Sequence, residues 1–198
     1  MPENVEAMVM PNIRDGRILI VCADGVEQVE LTTRRDELRK KGARVEVATP
    51  KGEKVRAWKF TDWGETQPAD LKIADAKCEN YVALVIPGGV INPDKLRVDP
   101  DAMRVVTDFL NNGKLVAAVC HGPWLLIQAD ACEGRRMTSY NSIRKDVENA
   151  GADWVDEQIV FDESGIITSR NPNDLPAFVA KIAEEIERGC HYQRAAAE

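Results

Sequence analysis

The segment K-L-V-A-A-V-C-H-G-P-W, residues 114–124, decides the fold of this chain. A short apolar run ends at Cys120, and turn-forming residues follow at once. Such a run predicts a buried β-strand, here over residues 115–119, and Pro123 fits the first turn of a helix over residues 122–131. We therefore predict that Cys120 occupies a sharp turn between a strand and a helix.

The residues around Cys120 match the pattern of a nucleophile elbow. Ala118 and Gly122 flank it as small-x-Cys-x-Gly, which leaves room for a strained turn that lifts a nucleophile above the sheet. A helix N-terminus stabilises negative charge, so we expect the pKa of the Cys120 thiol to be lowered. The alternative is that Cys120 is a small buried hydrophobe at a strand end, which is common for free cysteines.

Apolar strands alternate with helices along the rest of the chain, which predicts a mainly parallel sheet covered on both faces. The fold class is therefore α/β, of the doubly wound type. In such sheets ligands bind beyond the carboxyl ends of the strands, where we expect the loops at 24–30, 87–97 and 120–124. We predict strands at 17–23, 44–49, 81–86, 115–119, 158–162 and 166–168, helices at 28–41, 101–112, 122–131, 142–150 and 173–188, and a loop with a short hairpin at 50–70.

Length and composition limit the classes of function. With 198 residues the chain suits one domain, which we place at 17–188 between an arm at 1–16 and a tail at 189–198. The net charge of −7 argues against nucleic acid or an anionic membrane as the main partner. The arm lacks the features of a secretion signal and the apolar stretches are too short to cross a bilayer, so we expect a cytoplasmic protein.

The cysteine and histidine counts argue against disulfides and metal. The 5 cysteines form no C-x-x-C pair, so we expect reduced thiols. The 2 histidines, His121 and His191, are too far apart to complete a structural zinc site. We predict neither a metal ion nor a cofactor.

Six motifs in order resemble the intracellular protease PfpI branch of the DJ/PfpI superfamily, whose fold is related to the class I glutamine amidotransferases. The resemblance spans about residues 17–187 and implies a flavodoxin-like three-layer sandwich whose elbow cysteine, here Cys120, is the reactive group. The motifs are D-G-V-E-Q-V-E-L (24–31), V-I-P-G-G (85–89), A-V-C-H-G-P (118–123), T-S-Y (138–140), N-A-G-A-D-W-V-D (149–156) and T-S-R-N-P-N-D-L (168–175).

The resemblance also implies partners for the cysteine. A glutamate of the first loop, matched to Glu27, is expected to hold its proton and donate a hydrogen bond to sulfur; alone, Glu27 also fits a solvated carboxylate at a helix start. Glu30, one helical turn on, is the rival, and we expect it at the surface. The N–H groups of Gly89 and His121 are expected to form an oxyanion hole beside Cys120.

His121 is assigned by the resemblance as the catalytic base, oriented by an acidic residue of a neighbouring subunit. The corresponding acid is Asp94, in a loop that is one residue longer than the family form. Asp94 equally fits a turn residue in Asn-Pro-Asp. Because His121 directly follows the cysteine, we expect its side chain to point away from the sulfur unless the turn folds it back.

The expected chemistry is thiolate attack on a carbonyl group. The resemblance leaves three reactions open: peptide hydrolysis, conversion of small dicarbonyls to hydroxy acids (glyoxalase), and removal of early glycation adducts (deglycase). We favour small carbonyl substrates over long peptides, in a stress-related enzyme that forms dimers or larger oligomers. The alternatives are an oxidative-stress sensor or chaperone that works by oxidation of Cys120, and a binding module in which Cys120 is inert.

Overall fold

The computed structural model describes residues 12–189. Most of the predicted arm, the tail from Cys190 onward and His191 lie outside these residues. The described part contains eleven strands and six α-helices. The strands are β1 (Arg17–Val21), β2 (Arg44–Thr49), β3 (Val55–Lys59), β4 (Asp62–Gln67), β5 (Leu71–Lys72), β6 (Ala83–Ile86), β7 (Leu115–Val119), β8 (Arg136–Met137), β9 (Asp153–Trp154), β10 (Ile159–Asp162) and β11 (Ile166–Ser169). The helices are α1 (Gln28–Lys40), α2 (Ile91–Leu96), α3 (Pro100–Asn111), α4 (Trp124–Gln128), α5 (Arg144–Asn149) and α6 (Leu175–Arg188).

Seven strands form the central sheet, in the order β10-β11-β7-β6-β1-β2-β5. Every neighbouring pair is parallel except β10 with β11. Helices pack on both faces, which confirms the predicted α/β class and the three-layer arrangement. The loop at 50–70 contains the predicted hairpin, formed by β3 and β4, and β8 and β9 form a second small sheet.

Two apolar layers sandwich the sheet because its central strands are buried on both faces. Leu115 to Val119 are all 0–2% exposed, and successive side chains of β7 alternate between the two layers. Helices α1 and α6 pack together on one face, and α3 packs on β6 and β7 on the other. No helix within the described residues is long and apolar enough to span a membrane.

The site region lies where the strand order reverses. The chain runs from β1 to β2 on one side, whereas β6 and β7 continue the sheet on the other. A crevice therefore opens beyond the carboxyl ends of β1, β6 and β7, at the position where open α/β sheets bind ligands.

Two elements near this crevice differ from the sequence prediction. The helix predicted over residues 122–131 is limited to α4, five residues long, so little macrodipole is available at its N-terminus. The predicted loop at 87–97 instead contains α2, which has Pro93 in its first turn, where a missing N–H costs no hydrogen bond.

Candidate active site

Cys120 forms a strained turn at the end of β7. Its φ angle is +59°, in the left-handed region that non-glycine residues rarely adopt and that costs about 1–3 kcal/mol. Backbone hydrogen bonds hold the strain in place: the Cys120 N–H donates to the Ser169 carbonyl at 3.0 Å, and the Tyr140 N–H donates to the Cys120 carbonyl at 2.9 Å. The predicted nucleophile elbow is the conformation that the structure shows.

Glycine is required at two positions here: Gly122 within the turn, and Gly88 in the loop after β6 that packs against it. A Cβ at Gly122 would lie 2.6 Å from the Ile86 carbonyl oxygen. A Cβ at Gly88 would lie 2.6 Å from the Cys120 Cβ, 2.9 Å from the Glu30 Oε2 and 3.0 Å from the backbone nitrogen of His121. The loop after β6 therefore approaches the elbow as closely as backbone permits.

The turn folds the side chain of His121 back onto the cysteine, which is the exception that the sequence analysis left open. Its Nδ1 lies 3.2 Å from the Cys120 Sγ, and its Nε2 lies 3.0 Å from the Ser142 Oγ. The Tyr140 ring stacks on the imidazole with centroids 5.0 Å apart. Within one chain, the segment after β8 thus contacts both the outer nitrogen and the face of the imidazole.

Glu30, and not Glu27, is the carboxyl group beside Cys120. Glu30 is 0% exposed, and its Oε2 accepts a hydrogen bond from the Gly88 N–H at 2.7 Å. The expectation that Glu30 lies at the surface is therefore wrong. Helix α1 begins at Gln28, so Glu30 is in its first turn and faces the sheet together with Leu31 and Leu38, which are also fully buried.

Glu27 precedes α1 and faces the hairpin instead. Its Oε2 accepts a hydrogen bond from the Phe60 N–H at 3.3 Å, and its backbone bridges to Trp58. Although Glu27 is only 7% exposed, its Oε1 has no hydrogen-bond partner within residues 12–189. Burial, and secondarily the charge of Glu30, raise the pKa of the Glu27 carboxyl. Glu27 thus lies on the wall of the site, away from the sulfur.

The electrostatics of Cys120 differ from the sequence expectation. Burial and the negative charge of Glu30 raise the pKa of the thiol well above its ordinary value, whereas hydrogen bonds from the Gly89 and His121 N–H groups lower it. The five-residue α4 does not outweigh these effects, so the expectation of a lowered pKa is wrong. The two N–H groups nevertheless converge on the sulfur, where the predicted oxyanion hole would be.

Asp94 lies in α2 and does not approach His121 of its own chain. Its side chain is 60% exposed, and it pairs with Arg97 at 3.3 Å. The role implied by the resemblance requires a second chain, and it stays a prediction.

Asn92 is a structural residue of the site that the sequence analysis missed. It is 0% exposed, accepts the Ala23 N–H at 2.7 Å, and donates to the Pro87 and Gly88 carbonyls at 2.8 and 3.1 Å. It therefore fixes the loop after β6 to the end of β1. A polar residue four positions after Gly88 was the only signal in the sequence, and it resembled an ordinary turn residue.

A cleft of about 650 Å³ opens above these groups. Cys120 and His121 line it together with Glu27 and Glu30, and the aromatic rings of Trp58, Phe60 and Tyr140 contribute apolar surface. Phe60 is 65% exposed at the tip of the β3–β4 hairpin. Within residues 12–189, no group of three or more His, Cys, Asp or Glu side chains is arranged to hold a metal ion. The cleft suits a small, partly polar molecule with an electrophilic centre.

Comparison with known proteins is consistent with this geometry. Residues 16–185 match the DJ-1/PfpI family. Protein/nucleic acid deglycase 2 of Escherichia coli is 40% identical over 162 residues, which cover 82% of this chain and 92% of that protein. General stress protein 18 of Bacillus subtilis is 48% identical over 109 residues, or 55% of this chain and 63% of that protein. The crystal structure of Drosophila melanogaster DJ-1beta superposes with a TM-score of 0.80 at 28% identity, covering 89% of this chain and 93% of that one. This chain therefore belongs to the DJ-1/PfpI family.

Proposed function

We propose that this chain is a cysteine-dependent enzyme of the deglycase type, in which Cys120 attacks small carbonyl compounds and their adducts with amines. One observation carries the proposal. The Cys120 sulfur lies in the cleft within reach of two backbone N–H groups and 3.2 Å from an imidazole nitrogen. These are the groups that nucleophilic attack on a carbonyl requires.

In the first step the Cys120 thiol gives its proton to the His121 Nδ1, 3.2 Å away, and the sulfur attacks an aldehyde carbon. A carbon–sulfur bond forms, and the π electron pair of the carbonyl moves to oxygen, where the Gly89 and His121 N–H groups stabilise the charge. His121 then returns the proton to the alkoxide oxygen. With a hemiaminal, the amine adduct of the aldehyde, the carbon–sulfur bond forms as the carbon–nitrogen bond breaks, and the amine leaves with the bonding electron pair and the proton of His121. The product of this step is a hemithioacetal on Cys120.

With a dicarbonyl, the hemithioacetal rearranges to a thioester. A base removes the hydrogen of the attacked carbon, and a proton returns to the neighbouring carbon. His121 is the candidate base, because burial lowers its pKa and favours the neutral imidazole. Water then hydrolyses the thioester, which releases a hydroxy acid and the free thiol.

Glu27 is suited to bind the substrate. Its Oε1, which has no hydrogen-bond partner among residues 12–189, can accept a hydrogen bond from a hydroxyl or amine group of an adduct in the cleft. This places its proposed role in recognition and not, as the resemblance implied, in a hydrogen bond to sulfur.

Three considerations favour a deglycase over a peptidase or a sensor. The E. coli relative is named as a deglycase, and the cleft volume of about 650 Å³ suits small substrates. The imidazole of His121 lies 3.2 Å from the Cys120 sulfur, where an enzyme needs a base and a sensor needs none. A role in stress is proposed from the name of the B. subtilis relative. A dimer or larger assembly stays a prediction, which light scattering tests.

The test uses the adduct of methylglyoxal with N-acetyllysine, free methylglyoxal and casein as parallel substrates. We expect faster recovery of N-acetyllysine, with formation of lactate, than in the absence of enzyme, and no release of casein peptides. Casein hydrolysis with no effect on the adduct or on methylglyoxal would contradict the proposal and favour the peptidase.

A further inference from the structure

Glu27 differs from the other buried carboxyl groups of this chain. Four carboxyl side chains are buried within residues 12–189. Three of them pair with an arginine or lysine four residues away, at 3.5, 2.9 and 2.6 Å respectively: Glu30, Asp174 and Glu185. Glu27 is 7% exposed, and it forms no ion pair within the same residues. It is therefore the buried carboxyl group that lacks a cation.

The Glu27 carboxyl group also has unused hydrogen-bonding capacity. Its Oε2 accepts a long hydrogen bond from the Phe60 N–H at 3.3 Å, and its Oε1 has no partner in the described part of the chain. Burial, and secondarily the charge of Glu30, raise its pKa. A buried carboxylate without a cationic partner is costly. A cation that enters the cleft would supply the missing partner.

The charged groups that line the cleft would not repel a cation. The lining contains the carboxyl groups of Glu27 and Glu30, and no lysine or arginine of residues 12–189 belongs to it. His121 is also in the lining, and burial lowers its pKa, which favours the neutral imidazole. Lys59 follows Trp58 in β3, but successive side chains of a strand point to opposite faces, so Lys59 lies on the other side of the hairpin. The chain as a whole has a net charge of −7.

Aromatic rings complete a site for a cation. Trp58, Phe60 and Tyr140 line the cleft together with Glu27. The Tyr140 ring is stacked on His121, whereas the Phe60 ring is 65% exposed and follows the backbone N–H that contacts the Glu27 carboxyl group. The face of an aromatic ring attracts cations. A planar guanidinium both stacks on such a ring and donates hydrogen bonds to a carboxylate.

We infer that the cleft selects its substrates by charge: Glu27 binds a cationic group, and the favoured class is the guanidinium adducts of arginine side chains. Addition of a guanidinium nitrogen to an aldehyde carbon leaves the delocalised charge on the group, so the adduct is still a cation. A carbonyl compound that bears a carboxylate would place like charge beside Glu27 and is disfavoured. Turnover of these adducts rests on the proposed function, whereas binding of the cation does not.

The reaction of such an adduct is the one proposed above, with a guanidine as the leaving group. The Cys120 sulfur bonds to the former aldehyde carbon as the carbon–nitrogen bond breaks. The nitrogen leaves with the bonding electron pair and with the proton that His121 received from the thiol. The guanidinium carries the same charge before and after this step. Glu27 therefore binds the ground state and the transition state alike, and its contribution appears in KM rather than in kcat.

The test compares two probes of nearly the same shape, N-acetylarginine amide and N-acetylcitrulline amide, in which a neutral urea replaces the guanidinium. Each probe is titrated at low ionic strength, and its binding in the cleft is measured as protection of Cys120 from iodoacetamide, located by mass spectrometry. We expect the arginine probe to bind at least about tenfold more tightly to the wild type. No protection by the arginine probe, or equal protection by both probes, overturns the inference.

Three variants test whether Glu27 causes the preference. In E27Q the advantage of the arginine probe should fall to within about twofold, because the charged acceptor is lost. E65Q is the matched control, since Glu65 is exposed in β4 of the same hairpin and does not line the cleft, and the full advantage should remain. F60L should reduce the advantage about two- to fivefold. An E27Q variant that weakens both probes equally would indicate a merely structural role and contradict the inference. The comparison of probes in the wild type needs no variant to fold.

Binding requires no turnover, so the two proposals fail separately. Charge-dependent binding in a protein that releases neither arginine nor lysine from methylglyoxal adducts retains the cation site and rejects the proposed function. Equal kcat/KM for the arginine and lysine adducts, together with equal binding of the two probes, retains the proposed function and rejects the inference.

Discussion

The two walls of the cleft are built in opposite ways. The inner wall joins the ends of β6 and β7 to the first turn of α1, and Glu30, Gly88 and Cys120 are fixed there by backbone contacts. The outer wall is the tip of the β3–β4 hairpin, where Phe60 is 65% exposed, together with Glu27, whose Oε1 has no hydrogen-bond partner in the described part of the chain. The difference indicates that the inner wall sets the chemistry and the outer wall sets which molecule is held.

The largest effect is expected from Gly88→Ala in the inner wall. The new methyl group would lie 2.6 Å from the Cys120 Cβ and 3.0 Å from the backbone nitrogen of His121. Either the elbow or the loop after β6 must therefore move. Because displacements of about 1 Å cost on the order of 100-fold in rate, we expect at least that loss in kcat/KM for a carbonyl adduct. Gly134→Ala is the control for backbone strain away from the cleft: its φ of +68° disfavours any side chain, but nothing lies within 4 Å of the new methyl group and Gly134 does not line the cleft. Equal activity of the two variants would contradict the rigid inner wall.

Glu27→Gln is expected to lower kcat/KM less than Gly88→Ala does, and through KM rather than kcat. The loss of a charged acceptor in the cleft should raise KM about tenfold for an amine adduct and leave kcat within about twofold. A fall in kcat with unchanged KM would show that the outer wall takes part in the chemistry.

The pH dependence of kcat/KM tests whether His121, which adjoins Cys120 in the inner wall, is the base. Burial lowers its pKa below the ordinary value of 6.5, and the charge of Asp146 opposes this only partly. The neutral base is therefore retained as pH falls through 6.5, and the acid limb of kcat/KM should lie below that value. The unfolded chain binds this proton first, so the free energy of unfolding should decrease as pH falls below about 6.5. Both quantities can be measured between pH 5 and pH 8. An acid limb above 6.5 would mean that His121 is not the base.

The smallest effect is expected from Asp94→Asn. Asp94 is exposed and pairs with Arg97, and Ser142 already contacts the outer nitrogen of His121 at 3.0 Å. We expect kcat/KM to fall less than about threefold, as for the loss of an exposed ion pair. A loss of tenfold or more in a protein that light scattering shows to be dimeric would instead assign the acid to the neighbouring subunit.

The sequence predicted the sheet and the elbow because local patterns determine both. The bounds predicted for β2 and β7 are those observed. The choice between Glu27 and Glu30 failed because it depends on where α1 begins and on which side of it faces the sheet. The placement of Glu30, Leu31, Arg34 and Leu38 on one helical face was available in the sequence and would have favoured Glu30.

Other parts of the site depend on contacts that local patterns do not contain. The imidazole of His121 is held against the sulfur by Tyr140 and Ser142, which follow 19 and 21 residues later in another segment. The raised pKa of Cys120 depends on burial and on Glu30, which lies 90 residues earlier in the chain. The expectation based on the helix N-terminus alone therefore gave the wrong sign for the shift in the pKa of Cys120.

The most direct test of the account is the rate of lactate formation from methylglyoxal and its lysine adduct in Cys120→Ser. We expect a loss of at least about 1000-fold in kcat/KM, because the hydroxyl is a far weaker nucleophile than the thiolate. Cys78→Ser is the matched control, since Cys78 is also a buried free cysteine but precedes β6, at the amino end of the strand and opposite the site, and it should keep nearly wild-type activity. Equal rates in the wild type and Cys120→Ser would contradict the central claim that Cys120 is the nucleophile.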